Sequence, residues 1–163
     1  MKRKFYKSGL RFECTGCGNC CSDPHGYVQT TIEEAQKIAA YLSLSETEFL
    51  KTYTNFSGEE NPIFLNSFEK DSPEILSQSS EPDDLRNNSE QLKVGDCIFL
   101  KDNQCSIYPV RPLQCRTFPF WPENLKSPYR WKITAKSCPG IDEGRVYVSE
   151  EIEALLALMK QKG

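Results

Sequence analysis

Cys14-Thr15-Gly16-Cys17-Gly18-Asn19-Cys20-Cys21 sets four cysteines within eight consecutive residues, and chance is a poor explanation for that density. A C-x2-C turn lets two thiolates converge on one metal ion, while Gly16 and Gly18 leave room for backbone N–H groups to face the sulfurs. The longer C-x2-C-x2-C spacing reproduces the first three ligand positions of a bacterial ferredoxin-type [4Fe–4S] site. The ferredoxin continuation to a nearby Cys-Pro is absent, but Cys138-Pro139 offers a remote one as a fourth ligand. Cys20 and Cys21 are adjacent, and in an extended segment neighbouring side chains point to opposite sides. Such a pair suits two metals, or two irons of one cluster, better than a single tetrahedral zinc.

Outward from this loop, the chain adds Cys97, Cys105, Cys115 and Cys138, making eight cysteines against one histidine. One partition gives Cys14, Cys17, Cys20 and Cys138 to a first centre and Cys21, Cys97, Cys105 and Cys115 to a second; other divisions of eight ligands fit equally. The start, Met1-Lys2-Arg3-Lys4-Phe5, lacks a signal-peptide apolar region, and no apolar run approaches the roughly 18 residues of a membrane span. A cytoplasmic chain keeps its thiols reduced, so the cysteines point to metal or redox chemistry rather than to a disulfide framework. The lone His25 leaves little room for a His-rich zinc site or a Ser-His-Asp triad. It reads as a surface or hydrogen-bonding residue, because cysteine already fills the ligand count.

At 163 residues the chain has the length of one domain, and 38% hydrophobic with 26% charged residues makes a lean core. The net charge of −3 is unevenly spread: residues 1–30 carry +3, residues 31–91 carry −9 and residues 92–163 carry +3. All eight cysteines lie in the two basic segments, where nearby Lys and Arg favour the thiolate. No overall basic excess argues for nucleic acid, and nothing points to a membrane partner.

Local signals outline the elements. Leu10 and Phe12 suggest a strand leading into the cysteine loop. Thr31 with Glu34, and Ser45 with Glu48, are capping boxes that open two helices, the first burying Ile32, Ala35, Ala39 and Leu42, the second Phe49, Leu50 and Tyr53. Residues 66–91 are rich in Ser, Glu, Asp, Asn and Pro and read as a flexible acidic insertion or the tip of a long hairpin, with strand-like flanks at Ile63–Leu65 and Cys97–Leu100. Asp102-Asn103 is a turn returning the chain through Cys105, and Arg111–Cys115 a short helical turn. Tyr129, Trp131 and Ile133 alternate as in a strand, and Ser149 opens a last helix with Ile152, Leu155, Leu156 and Met159 inward. The expectation is one small α+β domain over residues 1–163, irregular around a cysteine-metal centre, with at least three helices and a short antiparallel hairpin.

The second half has its own grammar: Cys97-Ile-Phe-Leu, Cys105-Ser-Ile-Tyr-Pro and Arg111-Pro-Leu-Gln-Cys115-Arg-Thr-Phe-Pro. Together with Cys14-x2-Cys17-x2-Cys20-Cys21, these stretches resemble the YkgJ-like cysteine-cluster (CxxCxxCC) family over about residues 12–140, outside the acidic insertion. The resemblance implies zinc or iron chelation, with Cys14, Cys17, Cys20, Cys21, Cys97, Cys105, Cys115 and Cys138 all at family positions. A flagellin lysine methylase carries a related cysteine motif.

Arg111 and Arg116 flank Cys115 and are candidates to hydrogen-bond thiolates or bridging sulfides; packing on aromatics or pairing with the acidic middle is an equal alternative. Phe118, Phe120, Trp121, Tyr129 and Trp131, interleaved with Lys126, Arg130 and Lys132, could stack on single-stranded nucleic acid, but core packing is the better reading. Three functions compete: a thiolate chelator of zinc or iron, a redox iron–sulfur electron carrier or enzyme component, and a protein-modifying enzyme. Absorption in the visible separates the first two, since zinc is silent.

Overall fold

The computed structural model describes residues 4–22, 27–56, 63–65 and 95–162. Their elements, in chain order, are β1 (Leu10–Phe12), β2 (Val28–Thr30), α1 (Ile32–Tyr41), α2 (Glu46–Tyr53), β3 (Ile63–Leu65), β4 (Leu100–Lys101), β5 (Gln104–Cys105), α3 (Leu113–Thr117), α4 (Pro128–Ala135), β6 (Arg145–Tyr147) and α5 (Ser149–Lys162). The strands form three antiparallel pairs, β1–β6, β2–β3 and β4–β5. This is a small α+β architecture. It divides into two compact units, one of residues 18–112 and one joining the N-terminal residues through Cys17 to the chain from Leu113 onward. His25 and the acidic stretch 66–91 lie outside the described residues.

In the unit of residues 18–112, both helices begin as their capping boxes dictate. Thr31 accepts from the Glu34 N–H while Glu34 reaches back to the Thr31 N–H, and Ser45 and Glu48 repeat the exchange. The apolar faces of α1 and α2 bury Ala35, Ile38, Ala39, Phe49, Leu50 and Tyr53 against Ile63, Leu65, Ile98, Phe99 and Ile107. The rings of Phe49, Tyr53 and Phe99 stack, with Tyr53 and Phe99 centroids 5.1 Å apart. Phe99 thereby ties the segment after Cys97 into the helical core. Ile63–Leu65 pairs with β2, in the register Val28↔Leu65, and not with Cys97–Leu100 as a hairpin flanking the acidic stretch would require. Leu100 instead pairs with Cys105 across a two-residue turn, Asp102-Asn103, in which both residues have positive φ, as a tight hairpin demands.

In the other unit, β1 pairs with β6 in the register Leu10↔Tyr147, and Phe12 packs edge-on to Phe120 at 5.8 Å. Tyr6, Phe12, Phe120, Leu125, Trp131, Cys138, Ile141 and Ile152 form its core. The stretch expected as a strand at Tyr129–Ala135 is helical. Ser127 caps it by accepting from the Arg130 N–H, and Pro128 occupies the first turn, where its missing N–H costs nothing. The alternation there does not report burial on one face: Trp131 is buried while Tyr129 is 70% exposed. In α5, Ile152 is fully buried and Leu155 and Leu156 pack partly against the same core.

Candidate metal centre

The cysteine loop is bent by two glycines in the left-handed region, Gly16 (φ 69°) and Gly18 (φ 73°). After Gly18 the chain makes a single 3-10 turn, Asn19–Cys21, closed by the Cys21 N–H donating to the Gly18 carbonyl at 2.9 Å. This turn corrects the extended geometry assumed for Cys20-Cys21. The two side chains share a side, with Sγ atoms 4.0 Å apart, whereas in a strand they would diverge. A β-carbon at Gly18 would stand 2.4 Å from the Asn103 carbonyl oxygen, so the turn seats directly on the β4–β5 hairpin. The Cys97 N–H donates to the Cys21 carbonyl at 2.7 Å, and Cys105 ends β5.

These contacts gather three sulfurs around Cys21, whose thiol is hydrogen-bonded with Cys105, Cys20 and Cys97. Those bonds, helped by burial, push the Cys21 thiol far up, so it keeps its proton. Its three neighbours move the other way. Hydrogen bonding from Cys21 brings Cys20 to about 7 despite burial, with the Arg111 charge assisting. Cys105 also falls to about 7, held first by Cys21 and then, against burial, by the Ile107 N–H and Arg111. Cys97 is lowered by Cys21 and, against burial, by the Phe99 N–H. A backbone N–H two residues past the cysteine thus faces the sulfur at both hairpin positions, a bond that favours thiolate. The Cys-x-x spacing at Cys97-Ile-Phe and Cys105-Ser-Ile was the available signal for these donors, and the sequence reading passed over it.

The donor set fits a thiophilic metal ion. Sulfurs bound tetrahedrally to zinc at ~2.3 Å lie roughly 3.8 Å apart, close to the 4.0 Å between Cys20 and Cys21. Among the described residues no group of three or more His, Cys, Asp or Glu side chains is closed enough to hold an ion as it stands. The cluster is joined by shared protons, and its sulfurs must still draw together to a common ligand distance.

Arg111 lies beside the cluster, its guanidinium 3.6 Å from the Tyr108 ring centroid and its Nε donating to the Tyr108 carbonyl. It is both stacked on an aromatic ring and a source of positive charge for Cys20 and Cys105. Arg116 is exposed on α3. Cys14, Cys17, Cys115 and Cys138 belong to the other unit, with Cys14 and Cys17 exposed, Cys115 half-buried and Cys138 buried. The partition written from spacing set Cys20 with Cys14, Cys17 and Cys138, and Cys115 with Cys21, Cys97 and Cys105; the thiols that hydrogen-bond around Cys21 are Cys20, Cys97 and Cys105. None of the eight cysteines is in a disulfide. Of the interleaved aromatics, Phe120 and Trp131 are core residues and Tyr129 is exposed.

A cysteine-rich metal-binding domain is the class that this architecture and donor set define. The chain belongs to the CxxCxxCC family, described as "Putative zinc- or iron-chelating domain", whose pattern matches residues 13–139. It is 31% identical over 122 residues to the uncharacterized protein MJ0661 of Methanocaldococcus jannaschii, an alignment covering 74% of this chain and 50% of that one. The chain therefore spans about half the length of the relative it matches. No solved structure matches significantly. Among the described residues no helix is long and apolar enough to cross a membrane.

Proposed function

We propose that this protein is a cytoplasmic thiolate chelator whose principal centre holds one zinc or iron ion on Cys20, Cys21, Cys97 and Cys105. The observation that carries this reading is the contact of one thiol, Cys21, with three others. One ion draws four sulfurs into a single tetrahedron, whereas an iron–sulfur cluster distributes its cysteines over separate irons. When bound, the ion supplies positive charge in place of the shared protons and a cross-link between the loop and the hairpin. The chain supplies the rest: Phe99 and Ile107 orient Cys97 and Cys105 through their N–H groups, and Arg111 offsets part of the thiolate charge. Eight cysteines outside any disulfide suit a reducing compartment.

Anaerobic purification, elemental analysis and an absorption spectrum test the reading. The expected result is stoichiometric zinc without visible colour, or iron with thiolate-to-metal bands and no acid-labile sulfide. Cys21→Ser should then lower affinity at this centre at least 10-fold, because one coordination position opens and the three remaining thiolates repel. Inorganic sulfide released on acidification would instead support the redox cluster.

A further inference from the structure

We infer that this protein has a second activity, the reduction of small hydroperoxides, in which Cys105 and Cys21 are oxidised to a disulfide that ties the loop to the hairpin. The reaction goes beyond the chelator reading and stands apart from it, because it belongs to two thiols and needs no ion.

A disulfide forms readily where two sulfurs already touch and their α-carbons stand at the right separation. Cys21 is in contact with three other sulfurs, and its hydrogen bond with Cys105 leads the three. Cys20 is a poor partner although its Sγ lies 4.0 Å away. The α-carbons of sequence neighbours are about 3.8 Å apart, inside the roughly 4.4–6.8 Å that unstrained disulfides span. Cys105 comes instead from a separate element, at the end of β5. Backbone contacts hold that element against the loop. A β-carbon at Gly18 would stand 2.4 Å from the Asn103 carbonyl oxygen, and the Cys97 N–H donates to the Cys21 carbonyl at 2.7 Å. The Leu100↔Cys105 pairing keeps the hairpin closed. The dithiol is therefore assembled without an ion. Cys21 and Cys105 are half-buried beside the exposed Cys20, so a molecule as small as hydrogen peroxide can reach them.

The chemistry balances in two steps. The Cys105 thiolate attacks the terminal oxygen of a hydroperoxide ROOH, the O–O bond breaks, and the alkoxide leaves to take up the proton that Cys105 gave up. Cys105 is then a sulfenic acid. Cys21 attacks its sulfur, the S–S bond forms as the S–O bond breaks, and the hydroxyl departs as water with the Cys21 proton. Two thiols lose two electrons, and ROOH becomes ROH and water. Arg111, whose charge acts on Cys105 and whose guanidinium is seated 3.6 Å from the Tyr108 ring centroid, favours the first step by stabilising the departing anion. A bridged pair no longer offers thiolates, so an ion held by this cluster would be expelled on oxidation.

The test uses the full chain, reduced and metal-free, given one equivalent of hydrogen peroxide under anaerobic conditions. Thiols are then blocked and the disulfides mapped by mass spectrometry of peptides. The expected first product is Cys21–Cys105, formed at least 10-fold faster than Cys14 and Cys17, exposed cysteines of the same chain, are oxidised. In Cys21→Ser, dimedone should trap a sulfenic acid at Cys105, and Arg111→Gln should slow the wild-type reaction at least 3-fold. The map of the wild-type chain decides the matter even where a variant fails to fold. A first disulfide at Cys14–Cys17, Cys20–Cys21 or Cys21–Cys97, or oxidation no faster than that of Cys14 and Cys17, would overturn the inference. Zinc uptake by a chain that forms no Cys21–Cys105 bond would leave the chelator reading standing alone. The bond formed in a chain that takes up neither zinc nor iron would do the reverse.

Discussion

Cys21 hydrogen-bonds with sulfurs on the same turn and at the hairpin, so shared protons link groups that would repel as anions. Its displacement upward and the displacement of Cys20 and Cys105 to about 7 have one leading cause, the hydrogen bonds they share. In metal-free protein, Cys20 and Cys105 should alkylate with iodoacetamide along a profile with a midpoint near pH 7. Cys21 should stay unmodified through pH 9. The same shifts set the sign of the stability change. An ordinary thiol value of 9.0 lowered to about 7 in the fold means that the unfolded chain binds more protons between those limits. Stability should therefore rise with pH from about 7 to 9 and be lost as pH falls through 7. The raised Cys21 does not reverse this window, since its favourable contribution is fully present below 9. Urea midpoints at pH 6.5, 7.5 and 8.5 check the trend, and a flat series would remove the hub role given to Cys21.

The 3-10 turn and the β4–β5 hairpin meet at Gly18, and this contact between elements makes the cluster possible. Gly16 and Gly18 share positive φ, but a β-carbon at Gly16 has nothing within 4 Å while one at Gly18 meets the Asn103 carbonyl at 2.4 Å. Gly16→Ala should thus cost only left-handed strain, about 1–2 kcal/mol. Gly18→Ala should add a backbone clash, lifting the turn from the hairpin and weakening metal binding at this centre at least 10-fold more than Gly16→Ala. Competition with a chromophoric chelator measures both, and equal losses would show that the close approach has no part in holding the ion. Elements built from short-range signals were legible in sequence: the boxes at Thr31 and Ser45 each lie within four residues, and the Asp102-Asn103 turn within two. The pairing of Ile63–Leu65 with Val28–Thr30 was not, because many partners satisfy three apolar residues and only the packed core chooses between them. At Tyr129–Ala135 a short alternation fits either period, and Ser127-Pro128 was the more physical signal. The eight cysteines stood out by density, yet the 3-10 turn that sets Cys20 and Cys21 on one side is not encoded in their spacing.

Across the molecule, apolar burial and metal ligation are unevenly shared. In residues 18–112 the helices rest on stacked Phe49, Tyr53 and Phe99 and on Ile38, all nearly solvent-free, and their backbone hydrogen bonds owe nothing to sulfur. The loop at residues 18–22 has no buried side chain and is held by the Cys21 and Cys97 amides, which donate to Gly18 and Cys21. Structural zinc in small peptides contributes about 10–16 kcal/mol of apparent binding energy, as much as the entire stability of a typical domain at about 5–15 kcal/mol. Where that energy acts is set by what else holds each segment. Removing metal should therefore release the loop and the start of the hairpin, leaving the helices folded. Hydrogen exchange should show the Cys21 and Cys97 amides losing protection at least 100-fold on chelation, while the Ala35, Leu42 and Phe49 amides, bonded within and at the ends of α1 and α2, change less than 10-fold. Ser106, whose amide and hydroxyl both bond the Phe99 carbonyl, should follow the helices, because Phe99 is anchored in their core. A uniform loss across all these amides would mean that the ion sustains the whole unit, and that the stacked aromatic core cannot stand without it.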